Sequence, residues 1–555
     1  MRKKTTATVL GAALLIGTGQ AAVAAQDVEV LVPPDVVTTD PWVVVGDYEL
    51  TDGAVYFTVG ITFDDGNPGA DIWRRDLLPT TDGVALGNAE WVGTTITPHW
   101  DSGMASVGDG IVFADTWQGG KLGRLDDDGT RTALSTDRVQ PVESASASWY
   151  TSVDHLWPLA EDGPGGARLT GLADDWDSLP WEPDQTTSRT VDSAVSETVV
   201  VWQERLQENG GEGVAIRLYA NRIDANGLVG EPVLLASNDD PNAGGVTPLG
   251  DIVVSDTTIA WTAGSWTADG VQVQWVPVAD LTAEPTVIPQ ASRPDLDGSR
   301  LGFVVWDSPD AADTASVVDT ATGTTVATWD AVHAWDIELR GDLAAVGVMR
   351  GEAEGLQLHS ISGETDVTTV PQFDDIAYSP FVRQIDAIAL DGITTGYPDG
   401  TFRPMGSVTR EAMAAFLYRQ AGEPEFTAPA TSPFTDVSTG HPFYTEICWL
   451  ADEGISTGWT MADGTAQYRP GQPVSREAMA AFLHRFAGEQ EPAGTGTGFV
   501  DVSAGHPFAD AIAWLAQTGI STGWSTPAGA EFRPGASIER QAMAAFLDRF
   551  GDRLE

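Results

Sequence analysis

Three arginines occupy equivalent positions in the C-terminal third of the chain. Arg410, Arg476 and Arg540 lie 66 and 64 residues apart, and each follows the proline of an Arg-Pro dipeptide by six residues. Each also opens a segment with apolar residues at helical spacing, which predicts a guanidinium beside the free N–H groups of a helix N-terminus. A planar guanidinium there can hold a carboxylate through two hydrogen bonds. The pattern predicts three anion-binding sites, unless each arginine pairs with an aspartate of its own repeat.

Other residue types suited to sugar binding recur at the same period. Each repeat has a Gly-aromatic dipeptide, which can offer a flat ring to a sugar or pack that ring onto the helix below. Each also has an aspartate that can accept bonds from sugar hydroxyls or cap the next segment. Besides the three arginines, the candidate binding residues are Gly396, Tyr397, Gly458, Trp459, Gly523, Trp524, Asp375, Asp436, Asp501, Glu411 and Glu477.

Three copies of one unit position these residues, at 371–424, 432–490 and 497–555. Each copy is predicted to fold as a helix, a turn, a short extended segment and a second helix. In the second copy, an apolar stripe from Met479 to Phe486 follows Ser475, a good N-cap residue. A two-helix unit this short cannot bury such a stripe alone, so we expect the three copies to pack as one body.

The three copies resemble S-layer homology (SLH) domains. The resemblance covers about 185 of 555 residues and rests on four motifs, represented by FTDV at Phe434, GISTG at Gly454, DGTFRP at Asp399 and VTRE at Val408. It implies a trio with approximate threefold symmetry that binds a secondary cell-wall polysaccharide, often carrying pyruvate ketals, in grooves between repeats. Such trios hold exported proteins non-covalently to the cell wall.

The third copy departs from this pattern, because Glu539 and Gln541 replace the hydroxyl N-cap and the acid of the other copies. Since the charge of Glu539 would oppose an anionic ligand, we expect Arg540 to contribute least to binding.

Residues 26–370 have the pattern of an all-β domain. Seven apolar runs recur at a mean spacing of 48 residues, each followed by a further strand-like run, and they begin at Ala54, Ile111, Trp149, Val199, Ile259, Leu301 and Leu343. A four-stranded propeller blade needs about 40–50 residues, so we predict a β-propeller of about seven blades with no named family. Stacked β-sandwiches are the alternative, but their strands should not repeat a whole unit at this period.

Residues 1–25 are predicted to be a secretory signal peptide, with three basic residues, a short apolar stretch and an Ala-Val-Ala cleavage pattern. No later apolar run is long enough for membrane insertion after its cleavage. The net charge of −51 excludes a general nucleic-acid binder, since phosphates would be repelled. The single cysteine, Cys448, excludes a disulfide framework and is expected to be buried in a helix.

No cofactor is predicted from the residues of the propeller half. The serine-hydrolase, zinc-protease, P-loop and dinucleotide-binding motifs are absent from the sequence. The four histidines of the propeller half, His99, His155, His333 and His359, show no ligand spacing. Three acidic turns can in principle coordinate calcium, but plain β-turns are the favoured interpretation. They are Asp126-Asp127-Asp128-Gly129, Asp64-Asp65-Gly66 and Asp295 with Asp297-Gly298.

The sequence therefore favours an exported protein at the cell surface, anchored to the wall by SLH domains and displaying a propeller that binds a ligand or serves a structural role. The ligand of the propeller is not identified. Two alternatives stay open: a wall-anchored enzyme acting on a polysaccharide at the propeller mouth, and a self-assembling S-layer component.

Overall fold

The computed structural model describes residues 28–30, 45–62, 68–95, 104–107, 109–115, 121–127, 129–138, 144–145, 149–152, 155–158, 167–168, 187–207, 214–238, 247–264, 270–305, 314–329, 334–350, 353–488 and 496–551. The chain divides into two units, Met1–Thr369 and Val370–Glu555, and each is described by itself. The predicted signal peptide lies outside the described residues.

The described elements of the first unit are β-strands, and most of them follow one another as antiparallel groups of four. They are β1 (Val28–Val30), β2 (Val45–Leu50), β3 (Ala54–Thr62), β4 (Pro68–Pro79), β5 (Gly83–Thr95), β6 (Met104–Ser106), β7 (Gly110–Asp115), β8 (Lys121–Asp126), β9 (Arg131–Arg138), β10 (Ser144–Ala145), β11 (Trp149–Ser152), β12 (His155–Pro158), β13 (Ala167–Arg168), β14 (Thr187–Val195), β15 (Val199–Gln207), β16 (Val214–Asp224), β17 (Gly227–Asn238), β18 (Thr247–Val254), β19 (Thr258–Gly264), β20 (Val271–Pro277), β21 (Thr286–Pro289), β22 (Ala291–Asp297), β23 (Arg300–Val305), β24 (Thr314–Asp319), β25 (Thr324–Trp329), β26 (Ala334–Arg340), β27 (Leu343–Arg350), β28 (Ala353–Ser360) and β29 (Asp366–Thr369).

These strands form a β-propeller of six blades within the described residues, not about seven as predicted. Every predicted apolar run lies in the second strand of a four-strand group, from β3 to β27. The blade count differs because β5 and β7 pair through Thr95 and Asp115. That contact joins the groups β2–β5 and β6–β9, and with β29, which pairs in parallel with β5, they form one nine-stranded sheet. Two predicted units therefore share a blade.

The first and last blades are joined by contacts distant in sequence. Strand β1 completes the last blade by pairing with β28. The hydroxyl oxygen of Tyr48 accepts a hydrogen bond from the Gly347 amide at 3.2 Å, and Arg340 Nε donates to Asp52 at 2.7 Å. Burial holds the pKa of Tyr48 well above its usual value, so its hydroxyl stays neutral. The pairing with β1 covers the free edge of β28, and closure of the ring covers the blade faces that an open array would expose.

The core of the propeller lies between neighbouring sheets. Every residue of β19 is buried, and the indole rings of Trp73, Trp202 and Trp261 are among the largest fully buried side chains. Strands covered on both faces have near-continuous apolar sequences rather than alternating ones. This explains why the second strand of each group stands out in the sequence.

The second unit contains six helices and two short hairpins among its described residues. They are α1 (Val382–Leu390), α2 (Arg410–Gln420), α3 (Tyr444–Asp452), β30 (Trp459–Thr460), β31 (Ala466–Gln467), α4 (Arg476–Phe486), α5 (Ala509–Gln517), β32 (Trp524–Thr526), β33 (Gly529–Glu531) and α6 (Arg540–Gly551). Each repeat contributes two helices, and a single apolar core runs through all three repeats. The short apolar stripes are therefore buried against one another.

Three backbone hydrogen bonds link the repeats in a closed cycle. The amide of Val408 donates to Ile538, that of Val474 to Val408 and that of Ile538 to Val474, at 2.9 to 3.0 Å. Each of these residues lies two positions before the second helix of its repeat. The cycle therefore brings the N-termini of α2, α4 and α6 to equivalent positions around a common centre.

Candidate functional site

The three predicted arginines are the first residues of α2, α4 and α6, and each is buried with only 5–7% of its surface exposed. Thr409 and Ser475 cap α2 and α4 through their side-chain oxygens. The caps fix the helix starts and so the origin of each arginine side chain.

Each arginine reaches into another repeat. Its Nε donates to a backbone carbonyl at 2.7 to 2.8 Å, from Arg410 to Tyr468, from Arg476 to Phe532 and from Arg540 to Phe402. Arg410 also donates from Nη2 to Ser456 Oγ at 2.9 Å. The predicted alternative, a pair with the aspartate of the same repeat, is wrong for the described residues. Each arginine is instead part of a boundary between two repeats.

Each guanidinium stacks on the aromatic ring of the predicted Gly-aromatic dipeptide in that other repeat. The distances from Cζ to the ring centre are 4.4 Å for Arg410 on Trp459, 4.2 Å for Arg476 on Trp524 and 4.8 Å for Arg540 on Tyr397. Such contacts are attractive because the ring face is electron-rich. The structure thus brings together arginines and aromatic residues that lie in different repeats.

A second arginine stacks on each of these rings, and the sequence analysis missed it. Arg469 lies 4.4 Å from the centre of Trp459, Arg533 4.5 Å from Trp524 and Arg403 3.9 Å from Tyr397. These are the arginines of the Arg-Pro dipeptides, and their φ angles of 57° to 59° are unusual for residues other than glycine. The sequence signal for this second arginine was the recurrence of the Arg-Pro dipeptide in every repeat.

We call each group of two arginines and one ring an arginine–aromatic cluster and number it by its two repeats. Cluster 1–2 is Arg410, Trp459 and Arg469; cluster 2–3 is Arg476, Trp524 and Arg533; cluster 3–1 is Arg540, Tyr397 and Arg403.

The clusters favour anions electrostatically. Burial lowers the pKa of Arg410 and Arg540, and it lowers the pKa of Arg476 to about 10, with the second arginine of each cluster acting in the same direction. Within the described part of the chain, none of these three guanidiniums is paired with a carboxylate. Since a buried cation is costly without a counter-charge, a bound carboxylate would stabilise each cluster.

The three predicted aspartates have a structural role in the described contacts. Asp375, Asp436 and Asp501 each accept two backbone N–H bonds of 2.7 to 2.8 Å. The donors are the arginine of the Arg-Pro dipeptide and the aromatic residue directly before it. These bonds hold the unusual φ of the second arginine. The aspartates therefore position the clusters, and sugar binding by them stays a prediction.

The three predicted glycines let the aromatic rings approach the core. Gly396, Gly458 and Gly523 have φ angles of 66° to 68°, and a Cβ at any of them would collide with a buried phenylalanine ring. Glycine is thus required for packing as well as for the turn.

The two predicted glutamates lie at repeat boundaries and pair with histidines. Glu411 contacts His441 and Glu477 contacts His506, both at 3.2 Å between carboxylate and imidazole. At the third boundary, Gln541 accepts from Ser379 at 2.9 Å instead. Their predicted role in polysaccharide binding is not apparent in these contacts.

The predicted effect of Glu539 on Arg540 needs correction. The Glu539 carboxylate accepts a hydrogen bond from Gln541 Nε2 at 2.8 Å. Its charge acts on Arg476, where it opposes the pKa lowering caused by burial. Because the repeats interlock, a residue that precedes one arginine in sequence lies near another in space.

The acidic turns of the propeller bind backbone and hydroxyl groups, and Asp126 pairs with the Arg124 guanidinium. Asp127 accepts from Thr51 Oγ1 at 2.8 Å and from the Gly53 amide at 2.7 Å. Asp295 and Asp297 accept from the amides of Leu339 and Gly341 on the neighbouring blade, at 2.6 and 2.7 Å. Asp64, Asp65, Gly66 and Asp128 lie outside the described residues.

The remaining predicted residues show no common site. His359 is buried and stacks on Trp329 with 5.0 Å between ring centres. Cys448 is buried in α3, as expected. His99, His333 and the side chain of His155 lie outside the described residues. Among the helices that the structure describes, none has the length and apolar character needed to cross a membrane.

The match to a known domain family coincides with the repeats that form the clusters. A family model described as the S-layer homology domain matches residues 366–414, 433–480 and 498–544. These residues form three SLH domains. Each SLH domain supplies one buried arginine and one stacking ring, and each cluster combines two SLH domains.

Two proteins of Acetivibrio thermocellus are similar to part of the chain. Cell surface glycoprotein 1 is 29% identical over 170 residues, which are 28% of this chain and 7% of that protein. The cellulosome-anchoring protein is 27% identical over 164 residues, which are 28% of this chain and 35% of that protein. The chain thus spans a minor part of the length of both relatives.

Among solved structures, the β-propeller domain of the Trilobed protease from Pyrococcus furiosus aligns with 57% of this chain and 95% of its own, at 8% identity and a TM-score of 0.35.

Proposed function

We propose that the protein is exported and held non-covalently at the cell surface by its SLH domains, which bind an acidic secondary cell-wall polysaccharide. The propeller is then the displayed domain, with a binding or structural role. The three SLH domains support this proposal, as do the two similar proteins, which are named for the cell surface and for anchoring.

The arginine–aromatic clusters carry the proposal. Each offers a buried guanidinium, a second guanidinium and a partly exposed aromatic ring, with Trp524 39% exposed. The ring suits the apolar face of a sugar, and the guanidinium suits a carboxylate, as in a uronate or a pyruvate ketal. Three such clusters on one body can engage one polymer several times, which raises the affinity through effective concentration.

The test compares the mature chain with its two units. We expect residues 370–555 and the whole mature chain to sediment with isolated wall sacculi, and residues 26–369 to remain in solution. Circular dichroism and thermal unfolding check that each piece is folded. Sacculi stripped of secondary polysaccharide should lose this binding. Equal sedimentation of both pieces, or equal binding to stripped sacculi, would contradict the proposal.

A further inference from the structure

We propose that the three clusters are unequal and that cluster 1–2 is the principal site for the anionic polymer. In the described part of the chain, it is the cluster in which neither arginine is bonded to a carboxylate. The proposal rests on the function proposed above and adds a residue that determines specificity, Gln467.

The difference lies in the second arginine of each cluster. Arg533 pairs with Glu531 at 3.1 Å, and Arg403 pairs with Asp399 at 2.9 Å. Both guanidiniums are thus already partly neutralised by the protein itself. No carboxylate among the described residues pairs with Arg469, which stacks on Trp459.

The local sequence explains why Arg469 differs. Gln467 is the cross-strand neighbour of Trp459, just as Glu531 is the cross-strand neighbour of Trp524. A neutral amide therefore stands in cluster 1–2 where cluster 2–3 has a carboxylate. The acid corresponding to Asp399 is Asp463, which lies six residues before Arg469 rather than four. Its carboxylate accepts from Thr465 Oγ1 at 2.6 Å.

A second charge separates clusters 1–2 and 2–3. Glu539 acts electrostatically on Arg476 of cluster 2–3. The residues at the equivalent position in the other repeats are Thr409 and Ser475, which carry no charge. Cluster 2–3 thus has two nearby glutamates, Glu531 and Glu539. The corresponding residues of cluster 1–2, Gln467 and Ser475, carry no charge. An incoming carboxylate therefore meets less competition and less repulsion at cluster 1–2 than at cluster 2–3, and less competition than at cluster 3–1, where Asp399 pairs with Arg403.

A reciprocal exchange of one charge tests this inference in the mature full chain. Gln467→Glu gives Arg469 the partner that Arg533 has, and Glu531→Gln removes that partner from Arg533. The probe is isolated wall sacculi, and the measured quantity is the protein concentration that half-saturates them. We expect Gln467→Glu to raise this concentration about two- to fivefold and Glu531→Gln to lower it. Glu425→Gln, an exposed change of the same charge outside the clusters, should have no effect.

A matched set of arginine variants provides the second measurement. Arg469→Gln, Arg533→Gln and Arg403→Gln remove the same charge from the same backbone conformation, so any strain is common to all three. We expect Arg469→Gln to weaken binding most. Methyl esterification of the sacculi should abolish the differences between the variants.

The outcomes separate the two proposals. If the unaltered chain binds sacculi but Gln467→Glu leaves binding unchanged, or Arg469→Gln is no worse than its two counterparts, the clusters are equivalent and this inference is wrong. If the unaltered chain fails to bind sacculi, the proposed function itself is wrong. Thermal unfolding of each variant confirms that the trio remains folded.

Discussion

Gly458 shows how a single backbone position determines the geometry of a cluster. Its φ is 68°, and a Cβ there would lie 2.7 Å from the Phe434 ring and closer still to the Gln467 carbonyl. We expect Gly458→Ala to lower the free energy of unfolding by about 2–4 kcal/mol, because backbone strain and a steric collision add. Chemical denaturation of residues 370–555 measures this loss.

Gly464 provides the control for that substitution. It lies in the same hairpin with a φ of 82°, but a Cβ there would meet nothing within 4 Å. Gly464→Ala should therefore cost only the backbone strain, about 1 kcal/mol. Equal losses for the two variants would show that the approach of Phe434 is not what requires glycine at position 458.

Asp295 gives the propeller a specific pH dependence. Burial raises the pKa of this carboxyl group to about 6, although it accepts a hydrogen bond from the Leu339 amide. Between about pH 4 and pH 6 the native state therefore holds a proton that the unfolded chain has lost, so the free energy of unfolding falls as the pH rises. Above pH 6 the full penalty remains, about 3 kcal/mol.

Asp295→Asn should remove this penalty and keep an oxygen for the Leu339 amide. We expect the variant to gain stability relative to the unaltered chain at pH 7 and to gain less at pH 4, as measured by urea unfolding of residues 26–369. A difference between the two proteins that does not change with pH would show that Asp295 ionises normally.

Helix α6 begins with a polar network that replaces the ion pair of the other repeats. Gln541 accepts from Ser379 and donates to Glu539, and it is only 7% exposed. Gln541→Glu would remove that donor and place two carboxylates side by side in a buried setting. We expect a loss of about 1–3 kcal/mol at pH 7 and a smaller loss at pH 4, where carboxylates protonate.

The double substitution Glu539→Gln with Gln541→Glu tests the cause, because it restores a donor between the two side chains. Denaturation of residues 370–555 should show most of the lost stability regained. If the double variant is as unstable as Gln541→Glu alone, repulsion between the two acids is not the reason.

Local sequence patterns predicted the individual strands and helices better than the contacts between them. The apolar run from Ala54 and the helix at Arg410 follow from periodicity and capping, which depend on neighbouring residues. The pairing of Thr95 with Asp115, which joins two strand groups, is not encoded by periodicity. Likewise, Arg410 and Trp459 are 49 residues apart and meet only when two repeats interlock. Periodicity in the sequence therefore could not predict which strand groups or repeats contact one another.

The two halves of the chain differ in charge, and this affects how the whole molecule meets an acidic polymer. Residues 26–370 carry a net charge of −42, whereas residues 371–555 carry −12 and include the three clusters. With an acidic wall polymer as the partner, as proposed above, the exposed acids would repel the wall over long distances. The clusters attract it at short range, through guanidiniums whose burial reduces screening.

These opposing forces predict that wall binding depends on salt in two phases. Screening acts first on charges more than a Debye length apart, about 10 Å at 0.1 M salt. We therefore expect sedimentation of the mature chain with sacculi to increase from about 10 mM to about 150 mM salt, as repulsion is screened, and to decrease towards 1 M, as the contacts weaken. Residues 370–555 alone, with less negative charge, should show a smaller increase or none. A steady decrease from the lowest salt for both proteins would mean that attraction by the clusters outweighs the charge of the propeller half throughout.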